Sequence, residues 1–405
     1  MTAYPDGLSP DERAAIRERF RNTDPPYYVG DDLHAAKVER AHETMAAHDL
    51  DALLLFRDEA VRYLTDFYPK GYGPWAELEY CCVLTPDEEP VLGYASGTDL
   101  YRAGLFEVVP DVRRLPGHDD WGAAIAEIFA DYGVEGRVGT DRLPYWLERD
   151  LGAQYPEVSF EPVEEAWHDL TKVKLPEEVA IIEEAIAIAE VGMETAIAHA
   201  EPGATERAVA IEAEYAMRKA GSEMEPFIFD LCAGRNAGVF NRIPTEHRIR
   251  NGDLVAMDMG AVYRGYNGEF ARSVSAGTPS AEQREVYQTV YEALQAGLDA
   301  IEPGAACAEV DRAVREVIRD AGYEKYMHDR DTGHQTAYGL HGDPAIGPEV
   351  TDPLEPGMVV NIEPRIAMFD RPQVGGVQLE EIVLVEEDGV ELLTTTPFDE
   401  VLLER

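Results

Sequence analysis

The stretch GDLVAMDMGAVYRGYNGEFARSVSAG, residues 252–277, decides how the second half of this chain folds. Apolar residues run along both sides of a Gly-rich centre, which predicts two antiparallel strands joined by a hairpin containing Gly265 and Asn267-Gly268. Asp258 and Glu269 interrupt these strands. Side chains on adjacent antiparallel strands can face one pocket. The stretch therefore predicts two carboxylates placed to share a cation.

Three later segments contain the same kind of interruption. They are His334 in TGHQTAYGLH (332–341), Glu363 in VVNIEPR (359–365) and Glu380 in VQLEEIVLV (377–385). Acids and imidazoles are unusual inside strands that are otherwise apolar. Four carboxylates and one imidazole on an apolar scaffold indicate a cage for a pair of divalent cations. Each of these residues alone also fits a solvated side chain of an acidic protein.

Composition narrows the class of protein. A length of 405 residues with 45% hydrophobic residues predicts a globular protein of two or three domains. The net charge of −44, from 79 acids and 35 bases, repels phosphate backbones and argues against nucleic-acid binding. Because molar salt screens such self-repulsion, we hypothesise a host with a salty cytoplasm. The alternative is an ordinary acidic protein.

Targeting and redox signals are few. The chain has no apolar stretch of about 18 residues, and MTAYPDGLSPDERAAIRERF lacks the apolar core of a signal peptide. We therefore expect a cytoplasmic protein without a membrane partner. The four cysteines show no CxxC spacing, so we expect small buried side chains rather than disulfides or zinc ligands.

The order of predicted elements divides the chain into three parts. Residues 1–32 are predicted to be an N-terminal arm, residues 33–168 an α/β domain of alternating strands and helices, and residues 169–405 an α+β domain. Pro176 is predicted at a first helical position, and Gly221 is predicted to end a helix.

Taken together, these segments resemble the pita-bread metallohydrolases, the family of aminopeptidase P, prolidase, methionine aminopeptidase and creatinase. LTKVKLPEEVAIIEEA (170–185) resembles the linker helix of that family, and LDALLLFRDEAVRYLTDF (50–67) resembles its creatinase-type N-terminal domain. The resemblance implies a creatinase-type α/β domain over 33–168, a pita-bread catalytic domain over 169–405, and a homodimer.

The resemblance also implies a site that binds two divalent metal ions. Its ligands would be Asp258, Glu269, His334, Glu363 and Glu380. Manganese is expected, with iron, cobalt or zinc as alternatives. At position 269 the family has Asp, so Glu269 is one methylene longer. Glu363 would also be the proton shuttle, and His341 would be the substrate-side histidine, unless it only satisfies backbone groups of its loop.

Some positions depart from the family's pattern. Asn241 stands where the family has a second active-site histidine, Gln378 stands where peptidases commonly carry Arg, and HGDP (341–344) replaces the usual His-Glu pair. The leading interpretation is a metal-dependent hydrolase of a C–N bond in a small substrate, with an Xaa-Pro dipeptide as the first candidate. The alternatives are a creatinase-like or ectoine-type hydrolase, a dimethylsulfoniopropionate-type lyase, and a binding protein without catalysis.

Three residues are candidates for substrate binding. Asn241 can donate and accept hydrogen bonds. Arg272 matches a family arginine that braces the ligand carboxylates, and its alternative is a plain surface strand residue. Tyr63, with Tyr68, Tyr72 and Trp75, could close over a small substrate, and core packing is the alternative for this aromatic group.

Overall fold

The computed structural model describes residues 11–12, 15, 29–67, 79–95, 109–117, 120–239 and 241–404, with the backbone alone at 337 and 339–341. Tyr68, Tyr72 and Trp75 lie outside these residues. The chain divides into two compact units, Met1–Leu170 and Thr171–Arg405. This division falls two residues beyond the domain boundary predicted from the sequence.

The first unit is an α/β domain. Its strands are β1 (Ala52–Leu55), β2 (Tyr80–Leu84), β3 (Val91–Tyr94), β4 (Asp111–Arg114), β5 (Gly136–Thr140) and β6 (Val158–Pro162). Its helices are α1 (Asp31–Ala47), α2 (Asp58–Thr65), α3 (Trp121–Tyr132), α4 (Tyr145–Gln154) and α5 (Glu164–Thr171), the last of which crosses the division. The strand order is β4-β3-β2-β1-β5-β6. β1 (ALLL) is buried throughout because it lies between β2 and β5.

The second unit is an α+β domain. Its helices are α6 (Pro176–His199), α7 (Glu206–Ala220), α8 (Ala281–Asp299), α9 (Cys307–Asp320) and α10 (Glu400–Leu403). Its strands are β7 (Asp230–Ala233), β8 (Asp253–Tyr263), β9 (Tyr266–Ala276), β10 (Gly333–Ala337), β11 (Gly339–Ile346), β12 (Val359–Ile362), β13 (Arg365–Ala367), β14 (Gly376–Gln378), β15 (Glu381–Glu386) and β16 (Gly389–Leu392).

These elements form two similar halves, each a helix pair followed by an antiparallel sheet. Helices α6 and α7 precede the sheet β7-β8-β9, and α8 and α9 precede the sheet β11-β10-β12-β15-β16. Strands β13 and β14 pair separately. Pro176 opens α6, and Gly221 ends α7 with φ 121°, a backbone angle that favours glycine. Both helix boundaries predicted from the sequence are therefore confirmed.

The β8–β9 hairpin turns at Arg264 and Gly265, with φ angles of 49° and 85°. The predicted hairpin is thus confirmed, but Asn267 and Gly268 lie inside β9 rather than in the turn. A Cβ at Gly268 would overlap the backbone nitrogen of Ile186, so this glycine lets α6 pack directly on β9. A further tie to α6 is the hydroxyl of Tyr266, which donates to Glu178 Oε1 at 2.7 Å.

The cysteines are buried and free, as predicted: Cys81, Cys82, Cys232 and Cys307. Within the described parts of the chain, none of the helices combines the length and apolar character needed to cross a membrane.

Candidate active site

The five predicted ligands meet in one cavity of about 580 Å³. Strands from both halves of the second unit bring them there. Asp258 lies on β8 and Glu269 on β9, while His334 lies on β10. Glu363 directly follows β12, and Glu380 lies between β14 and β15. Both halves of the second unit therefore contribute ligands to one site.

Short distances connect the five side chains. One oxygen from each of Asp258, Glu363 and Glu380 lies within 4.8 Å of the others. His334 Nε2 lies 3.5 Å from Glu269 Oε1 and 3.9 Å from Glu363 Oε1. This spacing suits oxygen and nitrogen ligands around shared divalent cations.

The register of the hairpin places Asp258 and Glu269 on one face. Asp258 pairs with Ala271, and Gly260 pairs with Glu269, so the two carboxylates are diagonal neighbours. A Cβ at Gly260 would lie 2.8 Å from the Cβ of Glu269. Glycine at this position therefore leaves Glu269 room to enter the cavity.

His334 presents a neutral nitrogen to the carboxylates. Its Nδ1 lies 3.2 Å from the carbonyl oxygen of Gln335, which assigns the ring proton to Nδ1 and leaves a lone pair on Nε2. Burial lowers the pKa of His334 to about 4. A neutral imidazole with its lone pair on Nε2 is the form that binds metal ions.

Asn361 connects two of the predicted ligands. Its Nδ2 donates to Glu380 Oε1 at 2.7 Å and lies 3.0 Å from His334 Nε2, while its Oδ1 accepts from the His334 backbone N–H at 2.7 Å. We did not single out Asn361 from the sequence. The signal was present, because Asn361 and Glu363 are two residues apart and so point to the same face of an extended chain.

Gln378 and Arg365 hold Glu363. The Gln378 amide donates to Asp258 Oδ2 at 2.8 Å and to Glu363 Oε2 at 3.3 Å. Arg365 Nη2 lies 3.3 Å from the same Glu363 oxygen. Arg365 and Gln378 are directly paired across β13 and β14. Sequence reasoning missed Arg365, although it ends the quoted VVNIEPR segment.

Crowding of acids dominates the electrostatics. Burial, and then the charge of Glu363, raises the pKa of Asp258 to about 6. Burial and the neighbouring carboxylates raise the pKa values of Glu269 and Glu380 well above their usual range. Burial also raises the pKa of Glu363. Buried acids of like charge oppose one another's ionisation, and a bound cation reverses that effect.

Glu269 supplies a further test of whether a metal fits. Its Oε1 is buried and accepts no hydrogen bond from any described residue. Native proteins seldom leave a buried polar atom without a partner. A divalent cation would provide that partner, and the surrounding oxygen and nitrogen donors match such an ion. The residues present therefore fit a metal centre.

Asp230 is an additional carboxylate that sequence reasoning missed. It lines the cavity from β7, directly across from Asp258. Burial, and then the charge of Asp258, raises the pKa of Asp230 to about 7, while the backbone N–H of Asn241 donates to its carboxylate. Asp230 interrupts the apolar run FIFDLCA (227–233), which is the same signal that identified the other acids.

Asn241 and His341 remain open predictions for the substrate side. Asn241 lines the cavity, is exposed and has φ 54°. Strand β11 passes through position 341, but the side chain of His341 lies outside the described residues.

The placement of Arg272 corrects the prediction that it contacts substrate. Arg272 and Glu269 are three residues apart on β9, so they point to opposite faces, and Arg272 is 1% exposed. Its guanidinium donates to the carbonyl oxygen of Glu380, to the Glu381 carboxylate at 3.1 Å and to the Thr396 carbonyl oxygen at 2.9 Å. It does not line the cavity. Arg272 thus braces the backbone at Glu380 from behind and is not a surface residue.

Tyr63 also requires a correction. It is fully buried in α2 within the first unit, where its ring packs edge-on against Trp167 at 5.5 Å. Lys37 Nζ lies 4.7 Å from the centre of the same ring. Core packing, the alternative given for this aromatic group, accounts for Tyr63, and a substrate contact does not.

Glu206 anchors the segment that carries Asn241. This fully buried carboxylate accepts from the backbone N–H of Ala233 at 2.8 Å, from the Asn236 amide at 2.9 Å, and from both the backbone and hydroxyl of Thr245 at 3.0 and 2.6 Å. One side chain therefore holds the chain on either side of Asn241, at residues 233–236 and at Thr245.

Comparisons with known proteins agree with this architecture. Residues 180–387 match the model of metallopeptidase family M24, and residues 37–170 match that of the creatinase/prolidase N-terminal domain. The chain belongs to metallopeptidase family M24. This confirms the resemblance and the pita-bread fold with a creatinase-type N-terminal domain, both predicted from the sequence. It also confirms the prediction of a hydrolase.

Individual members of family M24 are similar over most of their length. An Xaa-Pro dipeptidase of Pyrococcus furiosus is 34% identical over 373 residues, covering 89% of this chain and 98% of that protein. The solved structure of an Xaa-Pro dipeptidase from Bacillus anthracis superposes with a TM-score of 0.80 at 26% identity, covering 90% of this chain and 99% of the other. A prolidase from Pyrococcus horikoshii gives 0.78 at 27% identity, with the same coverage.

Proposed function

We propose that this M24 protein is a metal-dependent Xaa-Pro dipeptidase. The observation that carries the proposal is the convergence of Asp258, Glu269, His334, Glu363 and Glu380 in one cavity, with Glu269 Oε1 buried and unbonded among the described residues. The similarity to Xaa-Pro dipeptidases along nearly their whole length supports the choice of substrate class.

The five ligands would hold two divalent cations. When bound, such a pair acidifies a water molecule and polarises the carbonyl of the bond to be cleaved. Glu363 would accept a proton from that water and deliver it to the leaving nitrogen. Its Oε2 is held by Gln378 and Arg365, so the carboxylate keeps one orientation. The Asn361 amide holds the side chains of His334 and Glu380 in fixed positions.

The wall of the cavity is suited to a small peptide with apolar parts. Phe227, Ile228 and Ile243 line it, and Ile228 and Ile243 are 71% and 59% exposed. Such a surface can receive a proline ring or an apolar first residue. Asp230 and Asn241 add polar groups on the same side.

Further properties belong to the same proposal. Manganese suits a donor set dominated by carboxylates. The free, buried cysteines suit a reducing compartment such as the cytoplasm. The net charge of −44 supports a host with high internal salt. A homodimer is proposed from the family resemblance alone.

A substrate panel tests the proposal. We expect the protein, stripped with chelator and reloaded with Mn²⁺, to hydrolyse Ala-Pro and other Xaa-Pro dipeptides, and to lose activity when Mn²⁺ is removed. Elemental analysis of the purified protein would give the number and identity of bound metals. A metal-loaded protein that is inactive on every Xaa-Pro dipeptide would contradict the proposal.

A non-peptidase reaction on a small solute is the second candidate. The observation that favours it is Asn241, which lines the cavity where the family has a histidine and cannot exchange a proton near neutral pH. Creatine, ectoine and dimethylsulfoniopropionate belong in the same panel. Turnover of one of them without dipeptide hydrolysis would establish this alternative.

A further inference from the structure

We propose that Arg365 is the positioning residue for Glu363, acting from β13 together with Gln378 on β14. Since Glu363 is the proton shuttle of the proposed function, this role depends on that function. Both residues hold the same atom, because Gln378 Nε2 and Arg365 Nη2 each lie 3.3 Å from Glu363 Oε2.

The two carboxylate oxygens of Glu363 have different partners. Oε2 receives both donors, whereas Oε1 faces His334 Nε2 at 3.9 Å. The backbone N–H of Glu363 donates to the Thr332 carbonyl oxygen at 2.8 Å, which fixes the base of the side chain. Oε2 is therefore held by two donors, while Oε1 is directed toward His334.

Of the two residues that hold Glu363, only Arg365 is positively charged. Among the described residues, Arg365 makes the ion pair that connects an arginine or lysine with the predicted ligand carboxylates. Arg272, another buried arginine, donates to the backbone oxygen of Glu380 and to the carboxylate of Glu381, which is not a predicted ligand. Gln378 is neutral, so it orients Glu363 without offsetting its charge. With 11% of its side chain exposed, Arg365 interacts strongly with the buried carboxylate.

The strand that carries Arg365 is firmly placed. Residues 365, 366 and 367 pair in register with 378, 377 and 376, and Ile366 forms a further bridge to Met327. A Cβ at Gly376 would overlap the carbonyl oxygen of Ala237, so the β13–β14 pair packs closely against the backbone at Ala237. A rigid strand can hold a guanidinium at a fixed distance from Glu363.

The pairing of 365 with 378 allows an exchange test. Side chains directly opposite on antiparallel strands have Cβ atoms about 5 Å apart, so a guanidinium at 378 can reach the same carboxylate. The test compares Arg365→Gln, Gln378→Arg and the double exchange with wild type. The readouts are kcat and KM for Ala-Pro, and Mn²⁺ affinity measured by calorimetry after chelator treatment. Arg312→Gln, at an exposed position on α9, is the control for loss of one positive charge.

We expect Arg365→Gln to lower kcat by about 10- to 100-fold with little change in KM, and to weaken Mn²⁺ binding by a similar factor. Gln378→Arg alone crowds two cations at Glu363, so we expect it to be impaired as well. The double exchange should recover most of the kcat and the Mn²⁺ affinity. Arg365→Lys, which keeps the charge but loses the forked geometry, should fall between wild type and Arg365→Gln.

Several results would overturn this role, given variants whose thermal unfolding matches wild type. The role would be wrong if Arg365→Gln kept the wild-type kcat, or if the double exchange were no more active than Arg365→Gln. It would also be wrong if Arg365→Lys and Arg365→Gln lost equal activity. Tighter Mn²⁺ binding in Arg365→Gln would mean that Arg365 only repels cations. If wild type cleaves no dipeptide, the proposed function fails, but the Mn²⁺ affinities of the same variants still decide the role of Arg365.

Discussion

Gly260 lies directly opposite Glu269 on the β8–β9 hairpin, and a Cβ at Gly260 would sit 2.8 Å from the Cβ of Glu269. We therefore expect Gly260→Ala to push Glu269 out of position, to destabilise the fold by about 1–3 kcal/mol and to weaken Mn²⁺ binding. Urea unfolding and calorimetry would measure the two effects. Gly347→Ala is the matched control, since its Cβ would meet its neighbours at ordinary contact distances of 3.5 Å or more. Wild-type stability and affinity in Gly260→Ala would refute this account.

Removing one buried acid should have opposite effects on stability and on metal binding. Burial and the charges of Asp258 and Glu363 raise the pKa of Glu269, so its ionised form is unfavourable without a cation. We expect Glu269→Gln to raise the unfolding temperature of the chelator-treated protein at pH 7 and to weaken Mn²⁺ binding at least tenfold. Glu316→Gln removes an exposed acid of equal charge and should change neither. A metal-free Glu269→Gln protein that unfolds at a lower temperature than wild type would count against the electrostatic explanation.

Much of the site could be predicted because its acids interrupt apolar strands. The same rule applied to FIFDLCA would have found Asp230, and the two-residue period of an extended chain would have found Asn361 beside Glu363. The same alternation places Arg272 on the face of β9 opposite to Glu269, since residues three apart on a strand point to opposite faces. All three signals are present in the sequence itself.

Other features had no local signal. Glu206 reads as an ordinary acid in the first turn of α7, and its burial depends on contacts with Ala233, Asn236 and Thr245 far along the chain. The hairpin turns at Arg264-Gly265 and not at Asn267-Gly268. Gly268 is needed inside β9 because α6 packs against it and leaves no room for a Cβ, and this contact comes from a distant part of the chain. For Tyr63 the sequence leaves both core packing and a substrate contact open, because an aromatic residue in a core and one in a binding site look alike in sequence.

His34 should make the first unit sensitive to acid. It is buried, with Nε2 2.7 Å from the Leu64 carbonyl oxygen, and burial lowers its pKa from 6.5 to about 4. The unfolded chain binds this proton at a higher pH, so the stability contribution is complete above pH 6.5 and is lost as the pH falls toward 4. Each pH unit corresponds to about 1.4 kcal/mol, which gives about 3 kcal/mol in total. Urea unfolding between pH 4 and 7 should therefore show a shallower acid loss in His34→Gln. Parallel curves for the two proteins would disprove the assignment.

High salt should stabilise the folded protein. A net charge of −44 produces repulsion that extends about 10 Å at 0.1 M salt and about 3 Å at 1 M. We expect the unfolding temperature to rise steadily with KCl over this range. A comparison with NaCl would separate general screening from specific ion binding. If the protein is most stable in dilute buffer, the proposal of a salty host is untenable.

Glu206 anchors the chain on either side of Asn241, and this has a consequence for how the substrate preference could be changed. Its bonds reach backbone and polar groups at Ala233, Asn236 and Thr245, and none involves Asn241 or Ile243, which line the cavity. Substitutions at those two positions can therefore alter which molecules are accepted while residues 233–236 and Thr245 stay anchored. This part of the chain is therefore a practical target for directed evolution of substrate preference.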